Sequence, residues 1–138
     1  MTSKSERILA AIEAALIPTA GIDGRVFRDR YEAAARAEMP CIVIEPQSES
    51  DDVPDVGPIN TELTVAIDFV ISGGPLSTVV DPIRVDAHAR LMATTFTGLG
   101  VIHVHPVSRD WQAEPGEIGF VQALYSVRYR SSLSDLTA

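Results

Sequence analysis

A chain of 138 residues fits one domain, 1–138, and folding at that size buries roughly two-thirds of the surface the unfolded chain exposes. Apolar residues make up 46% and charged residues 22%, a globular composition that argues against a disordered or coiled-coil chain. The net charge of -8, from 11 Lys and Arg against 19 Asp and Glu, argues against sequence-specific nucleic-acid binding, and no apolar run reaches the roughly 18 residues of a membrane span.

The N-terminal "MTSKSERILAAIEAAL" has neither the long apolar region nor the cleavage site of a secretory leader, which predicts a soluble, cytoplasmic chain. Ser3 and Glu6 have capping-box spacing, and Ile8, Leu9, Ile12, Ala15 and Leu16 form one stripe, so a helix is expected from Ser3 to Ile17. Pro18 and Gly21 stop it. "GRVFRDR" reads as a short strand, and "YEAAARAEMP" as an alanine-rich turn or short helix closed by its proline. "CIVIEP" is a strand that turns Ile42 and Ile44 to one face. The single Cys41, which opens it, is expected to be a small core residue.

"QSESDDVPDVGPIN", residues 47–60, carries Glu49, Asp51, Asp52 and Asp55 with no base, and is expected to be a mobile acidic loop. Those acids lack calcium-loop spacing. Leu63, Val65, Ile67, Phe69 and Ile71 then alternate with Thr64, Ala66, Asp68 and Val70, the pattern of a half-buried antiparallel strand. A second helix is expected from Asp81, with Pro82 in its first turn, to about Phe96. It carries two apolar arcs, Val85, Ala89, Met92 and Phe96 on one side and Ile83, Ala87 and Leu91 on the other. One is expected to pack on the sheet and the other to meet a second partner.

Residues 101–110 read as a strand in which Ile102 and Val104 face the core and His103 and His105 face away. A catalytic zinc takes three protein ligands and a structural one four, yet the only other histidine is His88. The HxH barrel hydrolases need far more chain than follows His105. Cupins need a further histidine beyond it, although Asp110 comes near their acidic position. No metal site, catalytic set or cofactor is therefore expected; His103 and His105 are expected to face solvent or an interface, with a small metal-dependent enzyme built on them and Asp110 as the alternative. Trp111 either closes the core or anchors an interface. After a turn near "EPGEIG", a long strand from Phe120 to Arg130 sets Val121, Ala123, Tyr125, Val127 and Tyr129 on one face. The sum is an α+β domain, a mainly antiparallel sheet with two main helices on one face.

"ERILAAIEAAL", "VFRDR", "MPCIVIEP", the acidic hairpin, "NTELTVAIDFVI", "DPIRVDAHARLM" and the closing "IGFVQALYSVRYRSS" follow one another in an order that resembles the tail-terminator (minor tail protein U-like) family of long-tailed phages and prophages. The resemblance covers nearly the whole chain and rests on the order of elements rather than on a catalytic motif. It implies a non-enzymatic virion-assembly protein, assembled in the host cytoplasm and then carried in the virion tail. Its partners would be itself in a homohexameric ring, the tail-tube protein and a head-completion protein. Another neck or tail-completion role is the alternative within virion assembly. The surfaces expected to make contacts are Ile83, Ala87 and Leu91, the histidines His103 and His105, and the acids Glu49, Asp51, Asp52 and Asp55.

Overall fold

In the computed structural model, which describes residues 2–28, 39–72, 75–113 and 118–138, the first helix starts where the sequence places its cap. Helix α1 spans Lys4–Leu16, and the Ser3 hydroxyl accepts a hydrogen bond from the Glu6 backbone N–H at 3.2 Å. The other half of the capping box is absent, because the Glu6 carboxylate turns instead to the Arg28 guanidinium at 2.8 Å. Ile8, Leu9, Ile12 and Leu16 are buried.

Strand β1 (Val26–Arg28) pairs in parallel with β2 (Cys41–Asp52). The expected helix at "YEAAARAEMP" lies almost wholly outside the described residues. Strands β2 and β3 (Ile59–Ser72) form a long antiparallel ribbon, β3 pairs with β5 (Ile118–Ser131), and β5 pairs with the edge strand β4 (Val101–Ala113). The sheet order is β1-β2-β3-β5-β4, antiparallel except at β1.

The acidic segment departs from its expected loop. Residues 47–52 continue β2, with Asp52 opposite Asn60, and only 53–58 turn the chain. Its polarity reflects solvent on the side chains; the backbone amides and carbonyls directed at β3 still find partners across the ribbon.

Helix α2 spans Leu76–Met92, starting five residues before the expected Asp81 and ending before Phe96. Pro82 lies inside it, so its missing N–H leaves the Thr78 carbonyl without the usual helical donor. Val80, Ile83, Ala87 and Leu91 face inward and join α1, β3 and β5 in one apolar core, so both helices lie on the same sheet face. Along β3, Leu63, Val65, Ile67, Phe69 and Ile71 are buried, and their β5 partners Val127, Tyr125, Ala123 and Val121 complete the layer. The tail folds back on α1: the Lys4 N–H donates to the Leu136 carbonyl, and Arg7 donates to that of Thr137.

Candidate assembly surfaces

The two histidines sit on the sheet edge. Bulges in β4 fall between Val101 and His103 and between Pro106 and Ser108, so the simple alternation expected there breaks twice. Val101 and Val104 both pack against the core, whereas Ile102 and Val107, at the extra positions, are 49% and 54% exposed. Ile102 therefore does not share the core face with Val104. His103 lies opposite Arg128 and His105 opposite Ser126, on the sheet face away from the helices, as expected.

The imidazole rings of His103 and His105 stack, with centroids 4.6 Å apart and planes 27° apart. His105 Nδ1 is buried without a hydrogen-bond partner among the described residues. His88 is on the other side of the sheet, where its Nδ1 meets the Tyr125 hydroxyl at 2.8 Å. Asp110 pairs in register with Gln122, further along the strand. Among the described residues no three His, Cys, Asp or Glu side chains gather as metal ligands, so the three histidines are not brought together.

The acids divide by the face they occupy. Glu49 accepts from the Tyr129 hydroxyl at 3.3 Å, and Asp51 accepts from the Thr61 hydroxyl at 2.7 Å. Burial holds the Tyr129 hydroxyl above the ordinary tyrosine range, and the neighbouring Glu49 charge adds to it. Asp52 and Asp55, by contrast, are exposed and hold no side-chain bond among the described residues.

Ile83, Ala87 and Leu91, expected to offer a contact surface, are instead 6%, 2% and 2% exposed and belong to the core. Of the other arc, Val85 and Met92 face outward, 60% and 44% exposed, whereas Phe96, beyond the end of α2, packs against the core. Trp111 neither closes the core nor stands free. It is partly exposed on β4, with the Arg84 guanidinium carbon 5.3 Å from its ring centroid.

Between α2 and β4 lies a cleft of about 180 Å³ that the sequence reading misses, walled by Arg84, Val85, His88, Pro106, Arg109 and Tyr125. Its polar groups come from three elements, so no local spacing signals it. Arg84 reaches Asp81 at 3.5 Å, and its Nε is buried without a partner among the described residues. Arg109 is exposed and has no carboxylate partner among them. Burial pushes the Tyr125 hydroxyl up, against the opposing pull of the Arg109 and Arg84 charges.

On the far sheet face, Asp68 is half-buried and its Oδ1 lacks a partner among the described residues. Burial raises its carboxyl to about 6; the Gln122 side chain, which bonds it, opposes the shift and the Glu45 charge adds to it.

No described helix is long and apolar enough to cross a membrane. No family model matches the sequence, and no curated protein sequence matches it. Among solved structures, the chain is similar to one in the virion of a native gene transfer agent particle, with a TM-score of 0.56 and 12% sequence identity. The match covers 94% of this chain and 92% of that chain, so the shared fold extends over nearly the whole of both.

Proposed function

We propose that this chain is a structural protein of a phage-like virion and, within it, the tail terminator. A homohexameric ring would sit on the last ring of tail-tube protein, end tube polymerisation and present a surface to the head-completion protein. The role is non-catalytic and needs no cofactor. The observation that carries this reading is the end-to-end fold likeness to a chain of a gene transfer agent virion. The order of elements, similar to that of tail terminators, narrows the role from virion component to terminator.

The outward surface supports a protein that works by contact. Val85, Met92, Ile102, Val107 and Trp111 leave apolar area uncovered on α2 and the edge strand. The acidic balance suits a ring through which DNA passes without adhering.

Deletion of the gene from its parent phage, followed by electron microscopy, tests the role. Overlong tails without heads are expected. Normal tails would overturn the terminator reading, and tails of normal length that fail to join heads would move the chain to a neck position.

A further inference from the structure

The ribbon and the cleft carry opposite charge and lie toward opposite edges of one sheet. Residues 45–62, which form the outer ribbon, hold six acids and no Lys or Arg. The cleft sits past β5, where α2 overhangs the edge strand β4. With β3 and β5 between them in the sheet, the ribbon's outer acids are not placed to fill the cleft of their own chain.

We propose that the Arg84–His88–Arg109 cleft receives the acidic ribbon of a second copy of this chain, with Asp52 and Asp55 as its anchoring carboxylates. These two acids are exposed and hold no side-chain bond among the described residues, unlike Glu49 and Asp51. On the receiving side, Arg109 lacks a carboxylate partner among the described residues, and Arg84, which lies over the Trp111 ring, has among them one carboxylate contact, the longer one to Asp81. The guanidiniums offer several N–H donors in a planar fork that matches a carboxylate. A cleft of about 180 Å³ admits one or two acidic side chains and is smaller than common small-molecule pockets. Val85 and Pro106 form its apolar wall, which the incoming ribbon would shield from water.

Joining two different patches makes a heterologous, head-to-tail contact, which closes into a ring when its rotation permits. This deepens the proposed ring assembly and rests on it for the choice of a second copy as occupant. It also predicts an interface weakened by salt, because part of its attraction is between exposed charges.

The test is sedimentation velocity and native mass spectrometry on the full chain at low and high salt, with charge reversals on each side. Arg109→Glu alone, or Asp52→Arg with Asp55→Arg, should weaken self-association by about tenfold or more. Arg109→Glu combined with Asp52→Arg should recover much of the loss. All of these positions are exposed, and unfolding midpoints check that each variant remains folded. Wild-type chain that stays monomeric at every concentration and salt would overturn the inference, as would reversals without effect or a combination that recovers nothing. The deletion phenotype reads the virion role separately: normal tails with intact charge-swap recovery would sink that role and leave this contact standing.

Discussion

His88 Nδ1 and the Tyr125 hydroxyl lie 2.8 Å apart and tie the middle of α2 to β5 across the floor of the basic cleft. Tyr125 is 4% exposed, so its hydroxyl has little water to turn to if the histidine is lost. Its ring packs with the core while its oxygen reaches the helix, the usual division of labour for a buried tyrosine. Tyr125→Phe is expected to lower stability by about 1 kcal/mol, and His88→Ala by about 1–2 kcal/mol because it strands the hydroxyl and opens space. Urea unfolding of both single variants and the double variant measures the coupling, which should be about 0.5–1.5 kcal/mol. Additive losses would mean that the contact contributes nothing beyond each side chain's own packing.

Asp68 makes stability depend on pH in the sense opposite to a salt-bridged carboxylate. Its folded-state carboxyl titrates at about 6 against an ordinary value of 3.8, because burial disfavours the anion. Between those values the folded chain holds a proton that the unfolded chain releases. The group's favourable contribution is therefore full below about pH 4, falls as pH rises to about 6, and is absent above. The difference corresponds to at most about 3 kcal/mol, reduced to about 1–2 kcal/mol because the carboxylate is partly solvated. Asp68→Asn, which keeps an acceptor for Gln122, should be more stable than wild type at pH 7 by that amount and should lose most of this contribution to the pH slope. Urea midpoints for both chains from pH 4 to 7 give the comparison.

The sequence makes β3 and β5 legible because neither carries a bulge in its shared register, so Leu63 to Ile71 and Val121 to Tyr129 alternate without interruption. Helix α1 is legible because its cap and its stripe agree. For α2, reading Pro82 as a first-turn residue starts the helix too late and hides Val80. With Val80 included, Ile83, Ala87 and Leu91 continue one inward row, and the ambiguity between two apolar arcs disappears. The bulges at Ile102 and Val107 depend on how β4 pairs with β5, so β4's own residues do not reveal them. The acidic segment reads as a loop because polarity reports solvent around side chains, whereas ribbon pairing is made by the backbone. The cleft had no local signal, since Arg84 and Arg109 meet only when α2 folds over the edge strand.

The inward row of α2 can be separated from its outward row by matched truncations. Leu91→Ala removes a buried side chain from the core and is expected to cost about 2–5 kcal/mol. Met92→Ser changes the adjacent residue on the exposed side and should stay within about 0.5 kcal/mol of wild type in dilute protein. Thermal or urea unfolding of the two variants suffices. Similar losses would mean that Met92 is covered in the free chain as well.

Hydrogen exchange should resolve the ribbon into two regimes. Amides of 41–46, in the part of β2 that borders the core, are expected to exchange slowly, and those of the turn at 53–58 within the fastest class. Residues 47–52 should fall between them, since 48–52 stay paired with β3 past the irregularity at Gln47 but their side chains lie in solvent. If the ribbon of one copy enters another's cleft, protection at 53–58 should rise with protein concentration. Strong protection there in the dilute chain would contradict a turn that is mobile before assembly.

Gly98 and Gly100 both adopt positive φ, at 73° and 67°, yet their substitutions should differ. A Cβ on Gly98 meets nothing within 4 Å, so Gly98→Ala carries only the backbone cost of a left-handed residue, about 1–2 kcal/mol. A Cβ on Gly100 would stand 2.9 Å from the Arg130 carbonyl oxygen, which already accepts from Lys4 Nζ at 2.8 Å. Relief requires β4 to move away from β5, and the bond from the Arg130 N–H to the Gly100 carbonyl, 3.1 Å long, opposes that movement. Gly100→Ala should therefore cost more than Gly98→Ala, by about 1–3 kcal/mol of added strain. Equal unfolding midpoints for the two variants would show that the start of β4 shifts freely, and that the contact between Gly100 and Arg130 does not fix the edge strand in place.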